Sequence, residues 1–296
     1  WMSNEITASD STTAVERPTA PWVIEPHRAE LFQRVREFFR YRRITWFFAV
    51  RAVKDMYEGT VLGKIWLFRP IIPMLITSLI FGVMLGVPSD GLPYPLFFIA
   101  GGSLWMMFER SMMWVTRSLD GGKNLVKKLY FPRLVLPVSA AAPAALYFCV
   151  FLIMIMLSCV YYFARYGDWY LVLGPQLLLL PVLGLLTLLL AVSFGLFTSV
   201  WQTRAKDVRY AVRYAMRFWQ FLTPVIYPLS QVPEEYRLLI SLNPMTGYVE
   251  TFRWVLFGVG ILDLRALGMS VGLTVLIFYG GLWYFTKEET ASVDRM

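Results

Sequence analysis

Long apolar runs alternate with short basic or turn-forming stretches along most of this 296-residue chain. The contrast is sharpest in RAVKDMYEGTVLGKIWLFRPIIPMLITSLIFGVMLGV, residues 51–87, where a basic, aromatic-rich segment ends at Arg69 and Pro70 and an uncharged apolar run follows at once. Arg or Lys at the centre of a bilayer-spanning helix costs roughly 2.5–3.5 kcal/mol on the insertion scale. The charged half therefore stays in water or headgroups while the apolar half enters the bilayer. The same pattern predicts six spans, at about residues 70–87, 93–116, 134–163, 171–200, 214–227 and 267–285.

The remaining stretches follow other periods. Residues 1–27 are rich in Ser, Thr, Ala and Pro and read as a disordered cytoplasmic tail; they contain no apolar core of the kind a secretory signal has. Within residues 28–57, Leu31, Val35, Phe38, Phe39, Trp46, Val50, Val53 and Tyr57 recur at helical spacing among many arginines. This predicts one amphipathic helix lying along the membrane surface, with packing on a soluble core as the alternative. Residues 228–258 carry Glu234, Glu235, Arg237, Glu250 and Arg253 between apolar pieces too short to cross. Two short re-entrant helices fit, buried where their polar groups pair. The expected fold is an all-α membrane protein. An interfacial region at 28–68 precedes a six-helix transmembrane domain at 69–286, which carries an external re-entrant helix pair, and a cytoplasmic tail follows at 287–296.

Composition supports the membrane reading: 57% of residues are hydrophobic and only 16% charged, against roughly 25% charged in soluble domains. The net charge of +8 sits in loops between apolar runs, which suits anionic lipid and not nucleic acid. Lys123, Lys127, Lys128 and Arg133 follow the second span, and Arg204, Lys206, Arg209, Arg213 and Arg217 follow the fourth; the positive-inside rule makes both stretches cytoplasmic. An even number of spans then puts both termini on that side. Cys149 and Cys159 share one apolar run, about 15 Å apart on a helix, too far for a disulfide.

The chain lacks obvious catalytic equipment. His27 is its only histidine, which removes a His-based triad or metal site. GTVLGKI, residues 59–65, has three residues between its glycines where a phosphate loop has four, and Ile follows its Lys. Intramembrane carboxylates are scarce, which argues against an ion-coupled carrier. Glu109 and Arg110, near the far end of the second span, read either as a snorkelling interfacial pair or as a cytoplasmic gate or partner contact. Aromatic residues crowd the spans, and Phe97, Trp105, Phe108, Phe218, Trp219, Phe221 and Tyr227 are candidates for lining a route. Bundle packing is the plainer explanation for each; a path for sugar rings, which stack on aromatic faces, is the sharper one.

Three separated segments resemble the ABC-2 type permeases that export lipid-linked polysaccharides. In MYEGTVLGKIWLFRP, Tyr57, Thr60, Leu62, Gly63, Trp66 and Pro70 match the family's segment before the first span, with Met56 where Arg is usual. NLVKKLYFPRLVLP, residues 124–137, is similar to its coupling segment, and residues 221–258 are similar to its external region. The resemblance implies a homodimer in the bacterial plasma membrane, joined by two copies of a separate cytoplasmic ATPase that holds ATP and Mg. This chain itself would carry no cofactor. Lys123, Asn124, Lys127, Lys128, Tyr130 and Arg133 would dock on that ATPase. The cargo would be a polyprenyl-diphosphate-linked glycan such as O-antigen, teichoic acid or galactan. Arg40, Arg42, Arg43, Arg51 and Lys54 would meet its phosphates, or simply anionic lipid. An exporter of drugs or lipids and a membrane-embedded glycosyl- or acyltransferase are the alternatives.

Overall fold

A computed structural model describes residues 31–55, 71–126, 131–260 and 262–294. All regular structure among them is helical: α1 (Leu31–Arg40), α2 (Arg42–Asp55), α3 (Ile71–Ser78), α4 (Tyr94–Val126), α5 (Val135–Tyr166), α6 (Leu179–Arg204), α7 (Val208–Leu222), α8 (Glu234–Ser241), α9 (Pro244–Phe257) and α10 (Leu264–Asp294). The helices α5, α6 with its preceding 3₁₀ turn, and α10 are long and apolar enough to cross a membrane. The 32 residues of α5 extend about 48 Å, more than the roughly 30 Å of hydrocarbon. The protein is an all-α membrane protein.

The post of the bundle is α4, which packs against α3, α5, α6, α7 and α9. Its Leu96, Phe97, Leu104, Trp105, Met107, Phe108 and Val115 are buried, so apolar contact surrounds it on nearly every side. The helices α4 and α6 close on each other because Gly195 presents no side chain to Val115; a Cβ there would lie 2.3 Å from Val115 Cγ1. One turn further on, the Thr116 and Thr198 hydroxyls meet at 2.7 Å across the same seam. A second cluster gathers Phe48 of α2, Phe131, Val135, Leu136, Val200 and Phe285 at the end of the bundle that carries the basic turns. There Gln202 donates to Asp120 and accepts from the Arg209 amide, fixing the tight turn from α6 into α7.

Several expected elements take a different form. The amphipathic stretch is two helices joined at Tyr41, and α2 sets Phe48 into the bundle beside Phe131 while Trp46 and Phe47 stay exposed. The second helix is thus half packed and half interfacial. The first apolar run ends earlier than expected, at Met84 and not at Val87: α3 passes into a π turn, Leu79–Met84, and Gly82 there lies against the ring of Tyr94. The fifth run begins at Val208 and stops at Leu222, before Thr223 and Pro224, not at residues 214–227. Arg209, Arg213 and Arg217 therefore lie on a helix and not in a loop. Val212 and Met216, one turn apart, supply the buried stripe that folds this basic segment as a helix. At 15 residues α7 reaches about 22 Å. The helices α8 and α9 form the expected short pair.

Replacing Gly195 by Leu should lower the thermal unfolding midpoint in detergent, an overpacking cost of roughly 1–3 kcal/mol or more. Gly121→Ala, where a Cβ meets nothing within 4 Å, should leave the midpoint unchanged or slightly raised. Equal midpoints for the Gly195 and Gly121 variants would show that the α4–α6 seam is not tight.

Candidate functional site: a buried arginine clamp and an exposed aromatic face

The short pair is fastened to the bundle from both of its ends. Asn243 caps α9, accepting from the Met245 amide at 3.1 Å, and Pro244 follows at the first helical position, where a missing N–H costs nothing. The same Asn243 oxygen accepts from Trp219 Nε1 at 3.0 Å, and its amide nitrogen donates to Thr223 Oγ1 at 2.7 Å. The C-terminus of α7 and the N-terminus of α9 therefore share one polar side chain. At the far side, Ser230 donates to Asp90 at 2.6 Å, and the Arg237 guanidinium donates to the carbonyls of Val232 and Ser230.

Between them sits Arg253, 2% exposed. Its guanidinium donates to Pro224 O at 2.6 Å, Val225 O at 2.7 Å, Phe97 O at 3.3 Å and Glu250 Oε1 at 3.0 Å. It also lies 3.6 Å from the centre of the Phe97 ring. Gly101 makes room for it, since a Cβ there would stand 2.4 Å from Arg253 Nη2. Tyr94 adds a bond from its hydroxyl to Ile226 O at 2.8 Å. The chain after α7 is thus gripped by three successive carbonyls, and a charge that would be prohibitive in hydrocarbon has four of its five N–H donors met.

The aromatic candidates divide. Phe97, Trp105 and Phe108 are buried in the bundle. Trp219 is half-buried and packs edge-on against Trp105, Phe108 and Phe194, with ring centres 5.0–6.3 Å apart. Tyr227 is also half-buried and donates to Phe221 O. Only Phe218 and Phe221, at 72% and 61% exposure, present rings to the outside of the chain. The first four therefore build the wall, and the last two stand on its surface. Arg40, Arg42, Arg43, Arg51 and Lys54 are exposed along α1 and α2, with Arg51 3.8 Å from Asp55. Lys123 and Asn124 fall in the last turns of α4, and Arg133 is half-buried just before α5. The Lys127, Lys128 and Tyr130 positions lie outside the described residues, as do Tyr57 to Pro70. Arg110 lies 4.6 Å from the Tyr147 ring. The clamp was not among the candidates. Its signals in the sequence are the Glu250–x–x–Arg253 spacing inside an apolar helix and the place of both residues in the 221–258 segment.

The profile of ABC-2 type transporters matches residues 43–257, from the start of α2 to the last residue of α9. The chain belongs to the ABC-2 type transporter family. The matched span takes in the clamp, the short pair and the exposed face of α7, and leaves α10 outside. Among curated relatives, an O-antigen export system permease protein RfbA of Myxococcus xanthus is 28% identical over 265 residues, covering 87% of this chain and 97% of the relative. A protein of the same name from Klebsiella pneumoniae is 24% identical over 237 residues, covering 79% of this chain and 88% of the relative.

Arg253→Gln should destabilise this ABC-2 protein by roughly 3–5 kcal/mol, because it strands Glu250 and leaves backbone carbonyls without donors. Tryptophan fluorescence during thermal unfolding would register the loss through Trp219. A midpoint within 1 °C of wild type, an order-of-magnitude threshold for a null effect, would mean the clamp bears no load.

Proposed function

We propose that this chain is the membrane-spanning permease subunit of an ABC exporter that moves polyprenyl-diphosphate-linked polysaccharide outward across the bacterial plasma membrane. The observation that carries this reading is the likeness, along 87% of this chain and 97% of the relative, to a protein named as an O-antigen export permease. Two copies of the chain would work with two copies of a cytoplasmic ATPase, which would hold ATP and Mg. No residue motif in this chain supplies a phosphate loop of its own.

In this reading the basic end of the bundle is cytoplasmic and the polypeptide crosses six times. The segment from Lys123 to Arg133 seats in the ATPase. Nucleotide-driven closing then moves α4 and the helices interlocked with it as one body. The helices α3 and α7, which are short and packed on the post from one side, face the dimer axis and border the route. Phe218 and Phe221 offer ring faces to passing sugars. The short pair, held by Arg253, closes the outer end. Arg40, Arg42, Arg43, Arg51 and Lys54 hold α1 and α2 at the inner headgroup layer, where lipid-linked phosphate arrives. The O-antigen class of cargo is favoured over teichoic acid or galactan by the names of the relatives.

A second reading, export of a drug or lipid, draws on one feature. An apolar groove of about 590 Å³ lies between α3 and the start of α4, lined by Leu75, Ile76, Leu79, Val83, Tyr94 and Tyr162. A hydrocarbon chain would suit it, whether that of a prenyl anchor or of a free lipid.

Reconstitution with the cognate ATPase decides both the role and the docking. Reversing charge at Lys127 and Lys128 should leave ATP hydrolysis running while export of labelled glycan falls roughly tenfold or more. Full export by that variant would remove the docking assignment. Nucleotide hydrolysis or glycosyl transfer by the isolated chain would remove the permease reading itself.

A further inference from the structure

The exposed side of α7 carries a pattern of which the route described above uses only Phe218 and Phe221. Tyr210, Arg213, Tyr214, Arg217, Phe218 and Phe221 follow spacings of three, one, three, one and three, which is one face of a helix. All six are exposed, while Val212 and Met216 on the other side are buried. Arginine and aromatic residues therefore alternate along a single ridge.

This ridge is poorly suited to lipid. Arg213 and Arg217 lie about 8 and 14 Å along the helix from its Val208 end. Among the described residues neither makes an ion pair within 4 Å. Glu109 on the neighbouring α4 is within electrostatic reach of both, but Arg110 shares it, so three cations face one carboxylate. Within a bilayer, arginines without a close carboxylate face water, protein or an anion. Arg213 and Arg217 stand symmetrically about the middle of this 15-residue helix, each about 8 Å in rise from its nearer end. The side chains alongside them are rings, with the Arg213 guanidinium 5.9 Å from the ring of Tyr210.

We propose that Arg213 and Arg217 form the subsite for the diphosphate group of the lipid-linked glycan, with Tyr210, Tyr214, Phe218 and Phe221 stacking on the sugars attached to it. The inference rests on the export reading given above. Two arginines one turn apart on one helix face, about 6 Å in backbone rise, can bring their guanidiniums together on an anion with two phosphoryl centres, each guanidinium offering a forked pair of N–H donors. Flanking rings match a ligand whose charge is followed by saccharide. From Phe218 outward the ridge has aromatic residues and no charge. The diphosphate is therefore held in the Val208-side half, and the neutral glycan runs over the rest.

The test uses the full chain in lipid nanodiscs with two probes, undecaprenyl diphosphate and undecaprenyl monophosphate, neither carrying sugar. Wild type should prefer the diphosphate about tenfold or more. R213Q/R217Q should lose that preference, and R213K/R217K should keep most of it. Four results overturn the assignment or its foundation, and they differ from one another. Unchanged preference in R213Q/R217Q removes the subsite and leaves the export reading standing. Displacement of the diphosphate by an equal amount of phosphatidylglycerol reduces the ridge to headgroup attraction. Loss of the two-chain assembly in the glutamine variant, seen by native mass spectrometry, gives the ridge to a second copy of the chain. Failure of wild type to bind either probe removes the export reading with it.

Discussion

A guanidinium sealed inside protein is the constraint around which the rest of this bundle is arranged. Arg253 has four acceptors, and they come from three different parts of the chain: α9 itself, the turn after α7, and a carbonyl of α4 that is 156 residues away in sequence. Each acceptor fixes a distance between elements that apolar packing alone would leave adjustable. Packing is tolerant of small slides; a planar fork with directional donors is not. The clamp therefore sets where the short pair sits on the post. Asn243 then repeats the device one step away, by joining the end of α7 to the start of α9.

Stiffness and freedom are unevenly shared as a result. The helices α4, α5 and α6 interlock through close glycine contacts, buried rings and the threonine pair, and α10 rests on α6 and α9. By contrast α3 and α7 each touch the post along one side and leave the other open. Ile72, Leu75, Leu79 and Val83 are exposed on the first run, and Tyr214, Phe218 and Leu222 on α7. The chain thus divides a stiff, interlocked part from helices that keep one face unpacked.

The sequence displays the interlocked part more plainly than the open part. The long helices α5, α6 and α10 announce themselves through uncharged runs longer than a bilayer is thick, and their ends differ from expectation by between one and nine residues. The 214–227 span failed for a physical reason. Arg209, Arg213 and Arg217 look like solvent, whereas the stripe of Val212, Met216 and Trp219 at helical spacing was the better guide. Charge density reports what surrounds a segment; period reports its shape. The single amphipathic helix failed in a similar way, because nothing in residues 31–55 signals that Phe48 has a partner near Phe131. Which rings would be buried was not legible either. Phe97 and Phe218 are the same residue type in similarly apolar text, and only the approach of Arg253 and Trp105's neighbours to α4 separates them. The pairing of Glu250 with Arg253 was readable as a spacing, but the backbone carbonyls that complete it are a property of the assembled fold.

The π turn at Leu79–Met84 has its own implication. The widened turn closes the helix: Leu85 ends it with its amide on Ile80 O and with no side chain as a cap. Val83, Met84 and Leu85 stay exposed around it. The first apolar run thus finishes in a loose, greasy hem and not in a polar stop.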